Sequence, residues 1–215
     1  MTYHSYQFFS VKSSFHKLTK SKQERYKKEF LKVLQKEKKV IFYTYATLGL
    51  KTNTIFLSWL QADTIEEIQD YLNELIHTNL GNYLKISYSL TGVIRKSQYS
   101  TSEQSETRRK GGAYLIIYPF TKTHEWYMLT FEQRKELMKG HINVGRKYPQ
   151  ITQLLLYSYG IDDNEFIVSY ETDNLSDFQS LVMELRSDAV RAYTLKDTPI
   201  FTCIYKSLGE ILKFI

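Results

Sequence analysis

The sequence has 215 residues, of which 42% are hydrophobic and 24% are charged. This balance excludes collagen-like, mucin-like and wholly disordered chains. The single cysteine, Cys203, excludes a disulfide framework and any cysteine-based zinc or iron–sulfur site. A chain of this length with one cysteine is typical of a reducing compartment, so we expect a cytoplasmic protein.

The formal net charge is +6, from 29 Lys and Arg against 23 Asp and Glu, and it is compatible with an anionic partner. The excess is concentrated in Lys17–Lys39. Because a basic run on one helix is most often a solvated face, we expect no nucleic-acid partner. The longest apolar stretches, Ala113–Pro119 and Ile151–Tyr159, are far shorter than the roughly 20 residues of a membrane span. No membrane span is therefore predicted.

The first half of the chain alternates between strand and helix patterns. Apolar residues recur at helical spacing from Tyr26 to Leu34, and Asp63-Thr64 before two glutamates is typical of a helix start. The predicted elements are a strand at Gln7–Lys12, a helix at Lys20–Glu37, strands at Val40–Tyr45 and Asn53–Gln61, a helix at Ile65–Leu75 and a strand at Tyr83–Leu90.

The segment Ser97–Gly112 has one aromatic and no aliphatic residue, which predicts a mobile linker. After it the pattern of the first half returns, and Pro119 is expected to end the first strand just after Tyr118. The predicted elements are a strand at Ala113–Tyr118, a helix at Thr130–Lys147, strands at Ile151–Tyr159 and Glu165–Glu171, a helix at Leu175–Arg186, a strand at Pro199–Tyr205 and a short helix at Leu208–Phe214.

Both halves have the order β-α-β-β-α-β, which is that of the ferredoxin-like unit. A glycine turn precedes the third strand in each half, and Gly49 and Asp63 correspond in spacing to Gly160 and Asp173. The repeat predicts an α+β fold of two fused ferredoxin-like repeats, the dimeric α+β barrel type, with a cavity between sheet and helices. The predicted domains are an N-terminal repeat at 1–96, a linker at 97–112 and a C-terminal repeat at 113–215.

Motifs for phosphate cradling, zinc proteolysis and serine hydrolysis are missing from the sequence. One histidine differs from the other four, because His141 lies three or four residues from Leu137, Met138 and Val144 on the apolar face of a predicted helix. Two interpretations stay open: a core histidine bonded to a backbone carbonyl, or a single axial ligand to haem iron. A lone histidine without a cysteine partner suits haem better than zinc, which needs three or four protein ligands.

Tyr118 and Lys122 are four residues apart in the segment YPFTK. Tyr118 is either an aromatic side chain at the end of a strand or a tyrosine that loses an electron and a proton beside a redox cofactor. Lys122 is either a solvated lysine or a cation that holds a carboxylate or moves a proton.

A set of motifs together resembles the chlorite dismutase-like family. The resemblance covers most of the chain and is strongest over Tyr118–Thr202. The segments that carry it are YPFTK at 118–122, EWY at 125–127, HINVGRKYP at 141–149, YSYGIDD at 157–163, ETD at 171–173, LVMELR at 181–186 and TLKDTPIFT at 194–202, with YATLGLKTNTIFL and YSLTGVIR in the first half. The family fold is a pair of ferredoxin-like repeats, so the resemblance implies that fold and a homopentamer.

The resemblance also implies a cofactor site. His141 is then the proximal ligand of the iron in haem b or iron-coproporphyrin III, and Trp126 lines the same site. Chlorite dismutases carry a distal arginine seven residues before the glycine of the turn, which is Gly160 here, and this chain has Gln153 at that position.

A glutamine there resembles the coproheme decarboxylase branch of the family. These enzymes use hydrogen peroxide to convert two propionates of iron-coproporphyrin III into vinyl groups, which makes protohaem. The resemblance implies that Tyr118 is the redox-active residue, that Lys122 assists with the propionate, and that porphyrin and hydrogen peroxide are the partners.

The chain also departs from the family pattern, which includes a glutamate near the proximal histidine and a propionate-binding arginine. Asp188 stands near the place of a glutamate that holds the proximal histidine in chlorite dismutases, and Arg108 and Arg109 are candidates for a propionate-binding arginine. The alternative function is a haem-binding relative with weak peroxidase or unknown activity. Chlorite dismutase activity is less favoured because Gln153 replaces the arginine.

Overall fold

The computed structural model of the chain describes residues 2–34, 39–99 and 112–215. They form two compact units, Met1–Val93 together with Thr202–Ile215, and Ile94–Phe201. Within the described ranges, no helix is both long enough and apolar enough to cross a membrane.

Strands and helices follow the predicted order except in the second half, where the short helix His124–Met128 and the short strand Thr194–Lys196 are additional. In chain order they are β1 (Tyr3–Val11), α1 (Lys20–Leu34), β2 (Ile41–Ala46), β3 (Phe56–Ala62), α2 (Ile65–Ile76), β4 (Leu84–Val93), β5 (Tyr114–Lys122), α3 (His124–Met128), α4 (Phe131–Arg146), β6 (Thr152–Tyr157), β7 (Phe166–Thr172), α5 (Leu175–Arg186), β8 (Thr194–Lys196), β9 (Phe201–Tyr205) and α6 (Leu208–Ile211). The predicted helix Lys20–Glu37 is present up to Leu34, and its last three residues lie outside the described ranges.

The first unit contains an antiparallel sheet in the order β4-β1-β3-β2, the ferredoxin-like arrangement. The end of β9 pairs with β2, which places Tyr205 opposite Tyr45. Thr202–Ile215 therefore belongs with the first unit, whereas the predicted C-terminal repeat includes it. The predicted linker at 97–112 stays a prediction, since residues 100–111 lie outside the described ranges.

The core of the first unit lies between one face of this sheet and its helices. Alternate strand residues point to that face, and aromatic pairs fill it: the rings of Phe9 and Phe56 stack at 4.7 Å between centroids. Helix α1 contributes Phe30, which is fully buried. Aliphatic residues of α2 and of the C-terminal segment complete the core, among them Ile68, Leu75, Ile211 and Leu212.

The second unit contains an antiparallel sheet in the order β6-β7-β5-β8. Helices α4 and α5 cover one face of it. Its core cluster has Val168, Tyr170 and Leu181 as buried members, and the other residues packed there are only partly buried: Tyr118, Phe120, Val144, Tyr148, Ile151, Leu155, Phe178 and Leu185. This half-open interior is the part of the fold that carries the candidate site.

Strand β5 is longer than the sequence predicts. The expectation that Pro119 ends this strand is wrong, because Pro119 pairs with Ile167 and Phe120 with Phe166 in the ladder to β7. In an antiparallel ladder only alternate residues bond to a given neighbour, so a proline fits where no N–H is required. As a result Tyr118 lies within the strand and Lys122 ends it. His124 is the first residue of helix α3.

Candidate functional site

Helix α4 carries His141 on a face that is only partly buried. The helix begins with a capping box, in which the Gln133 N–H donates to Thr130 and the Thr130 N–H donates to the Gln133 side chain. No residue of this helix is fully buried, although an apolar helix face normally packs into a core. The apolar residues around His141 are therefore only partly covered by the other described residues.

The His141 imidazole is neutral at physiological pH. Burial lowers its pKa, the negative charge of Asp188 opposes this, and the positive charge of Lys122 adds to it. Its Nδ1 atom is buried and has no hydrogen-bond partner within the described part of the chain. A neutral imidazole is the form that binds a metal ion, so His141 has the protonation state of a ligand.

The Asp188 carboxylate lies beside α4 at Gly140, the residue before His141. Its Oδ1 accepts a hydrogen bond from the Val190 N–H at 2.9 Å, which fixes the carboxylate at the start of a 3-10 helix. A Cβ on Gly140 would stand 2.7 Å from Asp188 Oδ2, so a glycine is needed at 140 for this approach. Asp188 is thus the acidic neighbour that the sequence analysis associated with His141.

The sheet face under α4 and α5 brings Tyr118 and Gln153 onto one surface. Gln153 is directly opposite Tyr170 in the pairing of β6 with β7, and Tyr118 is opposite Val168 in the pairing of β5 with β7. Cross-strand partners and residues two apart share a face. Gln153 is exposed on this face, and its amide has no hydrogen-bond partner among residues 2–34, 39–99 and 112–215.

Tyr118 stacks on Tyr170, with ring centroids 6.2 Å apart and planes at 26°. Burial raises the pKa of Tyr118, while a hydrogen bond from Tyr170 and the charges of Arg186 and Arg191 lower it. The net direction is upward, so the Tyr118 hydroxyl keeps its proton at neutral pH. Tyr170 is a member of the site that the sequence analysis did not single out.

Lys122 and Trp126 form a cation–π pair. The Lys122 Nζ atom lies 4.5 Å from the centroid of the Trp126 ring, and the indole itself is buried. Burial, and then the nearby Arg191, lowers the pKa of Lys122 to about 8. In the described part of the chain no carboxylate forms an ion pair with this ammonium, so its charge is compensated only in part.

The backbone of Lys122 is held by a network that sequence reasoning missed. Glu165 Oε2 accepts hydrogen bonds from the Lys122 N–H at 2.7 Å and from the Tyr127 hydroxyl at 2.6 Å. Tyr127 has one hydroxyl proton and donates it to the carboxylate, so the Tyr159 hydroxyl donates to Tyr127 at 2.6 Å. Burial, and then these hydrogen bonds, raises the pKa of Tyr127. The only part of this network that the sequence motifs included was Tyr127, which follows Trp126.

Two arginines near Tyr118 share one carboxylate. Arg186 and Arg191 lie 2.8 Å and 3.5 Å from Asp197 Oδ2, and the charges of all three act on Tyr118. The arginines that the sequence analysis considered, Arg108 and Arg109, lie outside the described residues. Among the residues described, no group of three or more His, Cys, Asp or Glu side chains is arranged to hold a metal ion.

The chain matches the family model described as chlorite dismutase over residues 23–206. It is 27% identical over 176 residues to the coproheme decarboxylase of Mycolicibacterium smegmatis, which covers 80% of this chain and 76% of the relative. Its structure is similar to chlorite dismutase from Candidatus Nitrospira defluvii in complex with imidazole, with a TM-score of 0.91 and 24% identity over 99% of this chain and 94% of the other. A mutant of that protein matches with a TM-score of 0.91 and 25% identity over the same shares.

The family model spans most of the chain, so this protein belongs to the chlorite dismutase family. The predicted family and the α+β fold class are confirmed.

Proposed function

We propose that the second unit binds an iron porphyrin through His141, and that the protein converts iron-coproporphyrin III into protohaem with hydrogen peroxide. Membership of the chlorite dismutase family and the similarity to a coproheme decarboxylase support this proposal. The geometry around His141, Lys122 and Gln153 supports it independently, as follows.

The observation that carries the proposal is a single neutral histidine, His141, on a partly buried helix face. The described residues offer no cluster of protein donors, yet His141 is neutral and lies on an apolar, half-open helix face. A metal held by one protein side chain needs its other donors from elsewhere, and a porphyrin supplies four nitrogens in a flat apolar ring. The residues present therefore fit an iron porphyrin.

Two further side chains fit the polar groups of this substrate. Lys122 has an ammonium without an ion-pair partner among the described residues, and it suits a propionate carboxylate. The exposed amide of Gln153 shares a sheet face with Tyr118 and suits the orientation of peroxide by hydrogen bonds. Trp126 holds the Lys122 ammonium over its ring and excludes water from one side of it.

The reaction balances for each propionate. The carboxylate side chain, one hydrogen peroxide and one proton give a vinyl group, carbon dioxide and two waters. Iron in a porphyrin supplies the one-electron chemistry with peroxide. Tyr118 is proposed to lose an electron and a proton and then to take a hydrogen atom from the β-carbon of the propionate. Its hydroxyl is protonated in the resting protein, as this role requires.

The test is incubation of purified protein with iron-coproporphyrin III and hydrogen peroxide, followed by mass analysis of the porphyrins. We expect successive losses that correspond to one and two decarboxylations. Tyr118→Phe is the matched variant, because it keeps the ring and removes only the hydroxyl. It should bind the porphyrin with an unchanged absorption spectrum and yield no vinyl product.

Unchanged turnover in Tyr118→Phe would remove that residue from the mechanism. If the wild-type protein binds iron-coproporphyrin III but leaves it intact, the weak-peroxidase alternative replaces the proposed activity. We further propose, on family resemblance, a homopentamer in the cytoplasm. Light scattering that shows a monomer at micromolar concentration would contradict the pentamer.

A further inference from the structure

Strand β5 ends with a shift in strand register at Lys122, the residue proposed to bind a propionate. The pairing of β5 with β8 shifts register between Thr121 and Lys122. A register shift removes a backbone group from the ladder, and a buried N–H without an acceptor is costly. The Lys122 N–H is instead bonded to the Glu165 carboxylate at 2.7 Å.

Glu165 reaches Lys122 across 43 positions of the chain. It precedes β7, whose first residue, Phe166, stacks on Phe120 at 4.7 Å between ring centroids. The carboxylate is therefore anchored to the same strand pair that ends at Lys122. A carboxylate that accepts a backbone N–H forms a charge-assisted bond, which is stronger than one between neutral groups.

Tyr127 holds the same carboxylate oxygen from helix α3. Its hydroxyl donates to Glu165 Oε2 at 2.6 Å and receives the hydrogen bond of Tyr159 at 2.6 Å. Tyr127 follows Trp126, whose ring lies under the Lys122 ammonium. One carboxylate oxygen thus links the backbone of Lys122 to the short helix that carries the indole.

We infer that Glu165, held by Tyr127, is a positioning residue: it fixes the backbone of Lys122 so that the ammonium stays over Trp126 and is free to bind a carboxylate of the ligand. Glu165 is bonded to the N–H and makes no ion pair with the Lys122 ammonium in the described residues. A carboxylate paired with the ammonium would compete with the ligand directly, whereas Glu165 is bonded to the backbone and acts on the ammonium only through its charge. The inference about the ligand rests on the proposed function, and the inference about the backbone does not.

The backbone part is tested on ligand-free protein by hydrogen exchange with mass spectrometry, on peptides that cover residues 118–127. Glu165→Leu removes the acceptor, and we expect exchange at the end of β5 to accelerate about tenfold, as for the loss of one charge-assisted hydrogen bond. Glu165→Gln keeps an acceptor oxygen and should restore most of the protection. Glu136→Gln removes a carboxylate on an exposed part of α4 and is the matched control.

The ligand part is tested by comparing two probes, iron-coproporphyrin III and its tetramethyl ester, which has no carboxylates. Glu165→Leu should weaken binding of the free acid about tenfold and leave binding of the ester unchanged. Glu165→Gln should bind both like the wild type when binding is measured well below pH 8, where Lys122 is protonated in both proteins. Equal losses for both probes would show a general structural defect and overturn the inference. Unchanged exchange at residues 118–127 in Glu165→Leu would overturn it as well.

Tyr127→Phe is the second variant, for the case in which Glu165→Leu fails to fold. It removes one oxygen from a side chain that is 38% exposed, so the fold should tolerate it. Exchange at the end of β5 should accelerate by a smaller factor, because Glu165 keeps its bond to Lys122. If no probe binds the wild type, the proposed function fails while the exchange result still decides whether Glu165 fixes the backbone.

Discussion

The two units have nearly the same order and spacing of strands and helices. Their interiors differ in how completely the side chains are buried. Corresponding elements of the two units are separated by an almost constant number of positions. The separation is 111 positions for β1 and β5 (3 to 114), α1 and α4 (20 to 131) and β2 and β6 (41 to 152). It is 110 positions for β3 and β7 (56 to 166) and for α2 and α5 (65 to 175). Even an aromatic pair is repeated, since Phe9 on Phe56 and Phe120 on Phe166 both stack at 4.7 Å. The first pair is fully buried and the second only partly.

The correspondence gives two candidate site residues a counterpart in the first unit. At the same offset, Phe30 in the first unit corresponds to His141, and Phe42 corresponds to Gln153. Phe30 is fully buried in a core of many apolar side chains, while His141 is only partly buried. In the first unit, aromatic rings therefore fill the space between sheet and helices. The other has polar groups there that fit a flat ligand.

Exchanging the corresponding residues should produce the largest effects. Phe30→His places a polar ring in a close-packed core, and we expect the free energy of unfolding to fall by about 3–5 kcal/mol. His141→Phe removes a buried nitrogen that lacks a partner among the described residues, and should raise it by about 1 kcal/mol. Denaturant unfolding of the ligand-free proteins measures both.

The same His141→Phe variant should lose the iron–imidazole absorption signature after addition of ferric porphyrin. An unchanged spectrum would show that another side chain is the ligand. If Phe30→His and His141→Phe destabilise the protein equally, the interiors of the two units do not differ in packing as described.

The next largest effect is expected from a substitution that disturbs the close approach of Asp188 to α4. Gly140→Ala would bring a methyl group to 2.7 Å from Asp188 Oδ2, so the carboxylate or the helix must shift, which changes the position of Asp188 relative to His141. Because acidic neighbours orient metal-binding histidines, we expect porphyrin affinity to fall by about 10–100-fold. The measurement is titration of the protein with ferric porphyrin, followed by absorption.

Gly145→Ala on the same helix is the matched control. A Cβ there meets nothing within 4 Å, so the variant should keep its affinity and gain about 0.5–1 kcal/mol of stability from helix propensity. Asp188→Asn, which keeps the shape and removes the charge, should weaken binding in the same direction as Gly140→Ala. Wild-type affinity in both variants would exclude a role for Asp188.

The fold was largely predictable from the sequence, while the site was predictable only in part. Periodicity indicates α4 and α5 because their apolar residues recur at helical spacing, and the glycine turns at Gly49 and Gly160, both with positive φ, mark the repeat. His141 is noticeable as a polar residue on an apolar face. The bonds of Glu165 to Lys122 and Tyr127 are different: they join residues 43 and 38 positions apart, and no local pattern encodes such a separation.

The pH dependence of ligand binding should sharpen the role of Lys122. Its pKa is lowered to about 8 by burial, and a bound carboxylate favours the ammonium and raises that pKa. Affinity for iron-coproporphyrin III should therefore be independent of this group below about pH 8 and fall by up to tenfold per pH unit above it. Folding responds in the opposite direction: the unfolded chain binds the proton more tightly, so stability gains from this group as pH rises from about 8 towards the ordinary lysine pKa.

Lys122→Met is the control, since it removes both dependences and keeps a long apolar side chain over Trp126. The difference between wild type and variant isolates Lys122 from other groups that titrate in this range. A variant with the same decline in affinity above pH 8 as the wild type would show that another group is responsible.

The smallest effect is expected with chlorite as substrate. Gln153 shares the sheet face of Tyr118 and Tyr170, so its amide faces the same space as the proposed radical residue. An amide donates hydrogen bonds but has no permanent positive charge, whereas an arginine, which the resemblance implies for chlorite dismutases at this position, carries a charge that can stabilise an anionic leaving group. We therefore expect little or no oxygen release when the porphyrin-loaded protein is mixed with chlorite in an oxygen electrode. Rapid and sustained oxygen evolution would show that the difference between glutamine and arginine does not decide the activity, and the second unit would then be a chlorite dismutase site despite Gln153.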